Sequence, residues 1–179
     1  ADLLYFDQAG LHIWPNQAGN GFGPELLNPS VPVPSALPTL SIVDLHGTGT
    51  SAIVWAPIRS SQTGQIRHTS PFGTEKPYLL QSIDNGMGLQ VTFTYAPSTK
   101  HYLADKKAGR PWATKLPFPV QVVERVETYD AISEARLVTS YRYHHGHYDT
   151  VEREFRGFGM VETIDAETFA PGEGQGTFP

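Results

Sequence analysis

Residues 141–162 read YRYHHGHYDTVEREFRGFGMVE, and this stretch decides the fold. Aromatic and β-branched residues recur along it, and charged residues alternate with them, which is typical of a long half-exposed β-strand. Gly146 interrupts the pattern and can turn the chain. We therefore predict two antiparallel strands here, Leu137 to His144 and Tyr148 to Val161, joined by a turn at Gly146.

The same pattern continues outward toward the N-terminus. In Leu89 to Tyr95, apolar residues occupy every second position, which predicts a strand with one buried face. The residues before it, Asp84 to Gly88, tolerate positive φ, so Tyr78 to Ile83 should pair with that strand as a hairpin. Ala52 to Trp55 is a further strand candidate.

One short helix is predicted between the strands. Ser98 or Thr99 can cap its first amides, Lys106 and Lys107 suit the negative end of its dipole, and Gly109 can end it. In the strand that follows, Val120 to Tyr129, the residues Val120, Val122 and Val126 are predicted to share one face, interrupted by Glu124. The fold class expected is therefore mainly β, with a long antiparallel meander and one short helix.

Composition excludes several classes of function. The chain has 179 residues, a formal net charge of −5 and a pI of about 5.8, so it has no overall attraction for nucleic acid. No window approaches the roughly 20 apolar residues of a membrane-spanning helix. The absence of cysteine excludes disulfides, thiolate metal sites and cysteine nucleophiles. Since Ala1 stands where an initiator Met would be, we expect a piece of a longer chain.

A change in composition near Pro71 predicts a boundary. Before it, proline-rich loops separate short strand candidates; after it, the strands lengthen and carry alternating charge. The predicted division is residues 1–70, residues 71–165, and a linker or tail at residues 166–179.

Two loops invite a metal hypothesis. Asp44 to Thr50 resembles a calcium loop, but His46 and Thr48 stand where further carboxylates or amides belong, which leaves Asp44 as the only carboxylate. The alternative is a turn held by backbone hydrogen bonds to Asp44. The cluster His144, His145 and His147, followed by Asp149, could bind zinc or iron through imidazole nitrogens.

On a strand, however, His144 and His145 point to opposite faces, so only His145 and His147 are expected to converge. The alternative is that these side chains cover a hairpin. No metal ligand is assigned.

No catalytic residue or cofactor site is predicted. Glu152 and Glu154 could suggest an acid/base pair, but both would stay ionised beside Arg156, and ion pairing across a sheet is the better interpretation. The sequence contains no nucleophile elbow, phosphate-binding loop or HExxH motif. Trp14, Trp55 and Trp112 leave open an alternative, a secreted β-rich adhesion or glycan-binding module.

Several of these stretches resemble one protein family. Residues 141–162, residues 78–88 (YLLQSIDNGMG) and residues 109–127 (GRPWATKLPFPVQVVERVE) are similar to the B component of bacterial ABC-type insecticidal toxin complexes, the TcdB/TcaC-like, SpvB-related proteins. The similarity is to the region between a propeller and the RHS (YD) repeats. Residues 13–22 and 44–55 are similar to FG-GAP/VCBS propeller-blade elements.

The resemblance implies a fold and a role. Residues 1–70 would be propeller-blade-like, residues 71–165 a TcdB middle-region meander, and the long strands part of an RHS-type shell. The family forms a β-sheet cocoon around the cytotoxic C-component effector, and its propeller docks on the A-component translocation channel. The resemblance therefore implies a non-enzymatic structural segment of a secreted bacterial toxin, with those two protein partners and neither nucleic-acid binding nor membrane insertion.

Overall fold

The computed structural model describes residues 2–29, 31, 39–56, 66–71, 73 and 76–168. The chain divides into two compact units, residues 1–43 with 52–71 and residues 44–51 with 72–179. The predicted assignment of domains stays a prediction, and its tail segment falls largely outside the described residues. No helix among the described residues is long and apolar enough to cross a membrane.

The first unit contains two three-stranded antiparallel sheets. Their strands, in chain order, are β1 (Leu3–Asp7), β2 (Gly10–Trp14), β3 (Leu26–Asn28), β4 (Thr39–Val43), β5 (Ala52–Ala56) and β6 (Arg67–Thr69). The strand β2 is central in one sheet and β5 in the other. Among the described residues of the unit, these two strands carry most of the buried apolar ones, Leu11, Ile13, Ala52, Ile53 and Trp55.

The second unit contains a five-stranded antiparallel sheet and the helix α1 (Ser98–Lys107). Its strands follow one another in space as in sequence: β7 (Ser82–Asp84), β8 (Leu89–Pro97), β9 (Gln121–Asp130), β10 (Arg136–Asp149) and β11 (Glu154–Thr168). The predicted fold class is confirmed: the chain is mainly β, with long antiparallel meander strands and one short helix in the described part.

Both sides of this sheet leave apolar residues in solvent. Among the described residues of the second unit, only Ala96 and Val122 are buried apolar residues. Half-exposed or exposed apolar side chains are spread along its strands and turns, including Ile83, Met87, Leu89, Ile132, Leu137, Val151, Met160, Val161 and Ile164. A sheet of this length buries little of its own surface within the chain.

The turn predicted at Gly146 is wrong. Gly146 pairs with Phe158 within the ladder, and β10 continues to Asp149. The turn lies at residues 150–153, where Asp149 Oδ1 accepts the backbone N–H groups of Val151 at 2.9 Å and Glu152 at 3.1 Å. An aspartate that holds two amides in this way ends the strand more effectively than a glycine whose backbone is extended.

The predicted hairpin before β8 is confirmed, with a shorter first strand. Residues Ser82 to Asp84 pair with β8, and Phe93 N–H also donates to Gln81 O. Tyr78 has φ +65°, so it is not extended backbone, and the ladder begins after it.

The shared face predicted for Val122 and Val126 is also wrong. Val122 pairs with Ala96 and Val126 with Phe93, and those two partners lie on opposite faces of β8. Glu124 is the extra residue of a β-bulge, which reverses the alternation along β9.

The two ends of the helix are stabilised in different ways. Its first turn has no side-chain cap: Ser98 Oγ accepts from Val120 N–H, and Thr99 Oγ1 donates to Gly47 O, so the predicted capping is wrong. At the other end, Gly109 has φ +76° and Arg110 N–H donates to Asp105 O, which completes a Schellman motif. The predicted role of Gly109 is confirmed.

Candidate functional site

The buried polar residues of the second unit gather where α1 packs on β10. Ser98, His101 and Asp105 are spaced three and four residues apart, so they lie on one face of the helix, and all three are buried. His144 on β10 is buried as well. We call His101, Asp105, Trp112 and His144 the helix–sheet cluster.

One carboxylate joins two other members of the cluster. Asp105 Oδ2 lies 2.6 Å from His144 Nδ1 and accepts a hydrogen bond from Trp112 Nε1 at 2.7 Å. Burial acts to raise the pKa of Asp105, but the hydrogen bonds from His144 and Trp112 and the charge of Arg110 outweigh it, so the pKa of Asp105 is lowered. The carboxylate is therefore ionised at neutral pH.

This ionised carboxylate fixes the orientation of the His144 ring. Because Asp105 can only accept, Nδ1 of His144 carries the proton that is donated to it. The other ring nitrogen, Nε2, is buried without a hydrogen-bond partner and lies 3.6 Å from Glu162 Oε2.

His101 lies beside this pair without a comparable partner. Its Nε2 is buried and makes no hydrogen bond, and its ring meets the Tyr143 ring edge-on at 5.5 Å. Burial lowers the pKa of His101, and burial likewise raises the pKa of Tyr143. Both shifts favour the neutral side chains.

The Trp112 ring explains why residue 146 is glycine. A Cβ at Gly146 would lie 2.7 Å from Trp112 Cζ3, 3.0 Å from Leu116 Cδ2 and 3.1 Å from Phe158 Cε1. The indole also packs edge-on against Phe158 at 6.0 Å. The strand therefore needs a residue without a side chain where the tryptophan crosses it.

The hydrogen bonds of the cluster connect α1 with β10 and with the segment that follows the helix. Oδ2 of its carboxylate accepts from both His144 and Trp112, and the indole ring lies against Gly146 of β10. No group of three His, Cys, Asp or Glu side chains in the described part of the chain could hold a metal ion. Its evident physical effect is to attach α1 to the sheet.

The histidines singled out by the sequence have different surroundings. His145 has φ +57°, and its Nδ1 accepts from Ala113 N–H at 3.1 Å. His147 is exposed, and Asp149 holds the turn after β10; the backbone amides of Glu152 and Val151 lower the pKa of Asp149. The predicted convergence of His145 and His147 stays a prediction. The prediction that no residue binds a metal remains untested.

The Asp44 loop has the structure that the non-metal interpretation expected. Asp44 Oδ1 accepts from Thr48 N–H at 3.0 Å, and Oδ2 accepts from Gly49 N–H at 2.7 Å. Gly47 and Gly49 have φ of +64° and +80°. The loop belongs to the second unit, and it also accepts hydrogen bonds from Thr99 and Gln121 of that unit, at Gly47 O and Thr48 O.

The charged run after β10 forms ion pairs as the sequence indicated. Arg156 Nη1 lies 3.2 Å from Glu154 Oε2, and its Nε lies 4.0 Å from Asp149 Oδ2 on the neighbouring strand. Glu152 lies in the turn, so it does not share a strand face with Glu154.

The three tryptophans occupy different environments. Trp55 is buried, and Trp112 belongs to the helix–sheet cluster, so neither ring is an open platform for a sugar. Trp14 is half-buried and stacks on His12, with ring centres 5.9 Å apart. His12 bonds to Asp7 and Glu25, and the bonds to Glu25 and then Asp7 raise the pKa of His12.

Sequence reasoning missed His101 and Asp105. Their spacing, four residues apart and in line with Ser98, was the available signal for a polar helix face. A polar helix face is normally expected to contact solvent. No neighbouring residue in the sequence indicates that this face packs against a sheet instead. His144 reaches this helix face only because of the register of β10.

Comparisons with known proteins agree with this architecture. The family model described as the insecticide toxin TcdB middle/N-terminal region matches residues 16–176. No curated protein matches the chain.

Solved structures of toxin complexes match nearly the whole chain. A crystal structure of TcdB2-TccC3 matches with a TM-score of 0.74 and 33% sequence identity, covering 97% of this chain and 8% of the solved chain. The structure of TcdB2-TccC3-Cdc42 matches with a TM-score of 0.72 and 33% identity, covering 95% and 8%. The structure of TcdB2-TccC3 without its hypervariable C-terminal region matches with a TM-score of 0.74 and 33% identity, covering 97% of this chain and 8% of the solved chain.

The chain thus spans about one-twelfth of the length of the solved chains that it resembles. The family model covers most of the chain, and the solved structures are similar in sequence as well as in fold. The chain therefore belongs to the family of the insecticide toxin TcdB middle/N-terminal region.

Proposed function

We propose that this chain is a wall segment of a toxin-complex B component and helps to form a β-sheet cocoon around the C-component effector. The observation that carries the proposal is the match of 97% of the chain, at 33% identity, to a chain of the TcdB2-TccC3 complex. The chain is a structural region of a TcdB-type toxin component; the cocoon role and the C-component partner are the proposed steps.

The surface of the five-stranded sheet supports a wall. Apolar side chains on neighbouring positions of β11, Met160 and Val161, are each 46% exposed, although successive residues of a strand point to opposite faces. A sheet that leaves apolar residues on both faces needs cover on both. A shell that encloses a protein on its inner side and packs against more of its own chain elsewhere provides such cover.

The propeller, the A component and secretion belong to the same proposal. The first unit, with its short three-stranded sheets, would contribute blade elements to a propeller that docks on the A-component channel. The parent protein would be secreted by a bacterium. The support is the sequence similarity of residues 13–22 and 44–55 to blade elements, together with the family membership.

We also propose that the segment is not an enzyme. The helix–sheet cluster holds the buried titratable side chains of the described part of the second unit, and Oδ2 of its carboxylate accepts from both His144 and Trp112, which gives it a structural role. No catalytic residue and no cofactor is proposed.

Photo-crosslinking in the intact complex tests the wall proposal. A photoreactive amino acid is placed at Met160 or at Val161 of the full-length B component, which is co-expressed with its C component. These two positions are a matched pair because they have equal exposure on opposite faces. We expect a crosslink to the C component from one position only. Crosslinks from both positions, or from neither, would contradict the proposal.

A further inference from the structure

The face by which α1 docks on the sheet is unusual because it is polar. All three buried residues of the helix, Ser98, His101 and Asp105, are polar, whereas the apolar Leu103 is 58% exposed. Docking therefore depends on hydrogen bonds and on the charge state of the docking groups more than on apolar burial.

The two buried imidazoles in this interface are not equivalent. His144 donates from Nδ1 to Asp105, and the carboxylate of Glu162 lies 3.6 Å from its Nε2. A second proton on that ring would therefore meet a nearby acceptor. The Nε2 of His101 is buried without any hydrogen-bond partner, so a proton placed there would be an unpaired buried donor.

The charges around His101 do not remove the difference between its imidazole and that of His144. Glu124 on β9 and Asp105 on α1 favour a cation at His101, whereas Lys100 on α1 and His144 on β10 oppose it. Lys100 is already paired with Glu124, Nζ to Oε1 at 2.5 Å, and Asp105 is already paired with His144. The remaining titratable groups nearby are Tyr143 on β10, whose ring meets His101, Glu162 on β11 beside His144, and Arg110 after the helix.

We propose that His101 makes the docking of α1 a pH-sensitive latch, closed while its imidazole is neutral and loosened when that imidazole is protonated. Protonation would put a cation beside the His144 ring and an unpaired N–H inside the interface. Release of the helix lets water solvate the imidazolium, at the cost of the bonds that Asp105 makes to His144 and Trp112.

The direction of the pH dependence follows from burial. Because burial lowers the pKa of His101 in the docked state, the undocked state binds a proton first as the pH falls. Docking is therefore strongest above the ordinary histidine pKa of about 6.5 and weakens below it. Between pH 7.5 and pH 5.5 the docking equilibrium constant can fall by up to about tenfold. This is the limit for a single histidine that is not protonated in the docked state.

Hydrogen exchange in the full-length parent protein, measured by mass spectrometry at pH 7.5 and pH 5.5, tests the latch. The readout is the protection factor of peptides from residues 98–107, corrected for the intrinsic effect of pH on exchange. We expect wild-type protection to fall between about threefold and tenfold at pH 5.5. His101→Gln and His101→Phe remove the titrating ring, and each should reduce this difference to less than about twofold.

The exposed His147→Gln is the matched control and should behave as the wild type does. A wild-type protection factor that changes by less than about twofold would overturn the proposal without any variant. A folded His101 variant that keeps the full wild-type difference would overturn it as well, because the response would then come from another group.

Discussion

Replacing Asp105 with alanine should free α1 from the sheet. The substitution removes the acceptor of two donors, the part-buried Trp112 Nε1–H at 2.7 Å and the buried His144 Nδ1–H at 2.6 Å. A buried donor left without a partner costs about 1–3 kcal/mol. Because the smaller side chain leaves room for water to serve one of the donors, we expect a total near 3 kcal/mol, or about 150-fold in the local opening equilibrium.

Hydrogen exchange of the full-length parent protein measures this loss directly. Peptides from residues 98–107 and 141–149 should lose protection together, because the carboxylate joins the two elements. Asp105→Asn keeps one acceptor and should lose about half as much free energy. Asp84→Ala, which removes an exposed carboxylate at the end of β7, is the matched control and should change protection near α1 by less than about 0.5 kcal/mol.

Two results would refute this reasoning. If Asp105→Ala costs less than about 1 kcal/mol, the two hydrogen bonds do not hold the helix. If only the α1 peptides lose protection while those of β10 keep it, then His144 does not depend on Asp105 and the helix–sheet cluster is not a unit.

Three further predictions concern other parts of the chain. Gly146→Ala places a methyl group 2.7 Å from the Trp112 ring and should cost about 1–3 kcal/mol in exchange-derived stability of β10. In the control Gly23→Ala, the added Cβ would have no contact closer than 3.5 Å, so the change should be nearly neutral. Equal losses would contradict the packing argument. The bonds to Glu25 and Asp7 raise the pKa of His12. The protection of β2 should therefore be greatest below about pH 6.5 and fall as the pH rises through that raised pKa. The variant His12→Gln should abolish this fall. Asp44→Ala removes the acceptor of two loop amides and should speed their exchange by about 10- to 100-fold; unchanged exchange would show that the glycines alone hold the turn.

Local pattern predicted the sheet well because strand formation depends on side-chain alternation and on turn residues. Leu89 to Tyr95 alternates cleanly and forms β8, and the turn after Asp84 has the residues that its backbone needs. The Schellman motif at Gly109 was likewise readable from the sequence, since a positive φ there favours glycine. These features depend on neighbours only a few residues apart.

The errors occurred where a distant residue decides. Gly146 was interpreted as a turn because glycine breaks strands, yet it is a glycine so that Trp112, 34 positions earlier in the sequence, can cross the strand. Glu124 was treated as an interruption of one face, although the register against β8 makes it a bulge that reverses the faces. Ser98 and Thr99 bond to Val120 and Gly47 instead of capping their own helix.

The helix–sheet cluster was out of reach for the same reason. His144 was noted only among its neighbouring histidines, and its real partner, Asp105, lies on another element 39 residues away. No spacing rule connects them, because their meeting depends on how α1 packs on β10. The resemblance to a toxin family, by contrast, rested on long stretches such as residues 141–162, and the family model confirms it.

Electron cryo-microscopy of the full-length B component, co-expressed with its C component, tests the central claim most directly. We predict that β7–β11 continue into a larger sheet, with one face of β11 lining a closed cavity that contains density for the C component. A map in which both faces of this sheet contact bulk solvent, with the C component bound elsewhere, would contradict the claim.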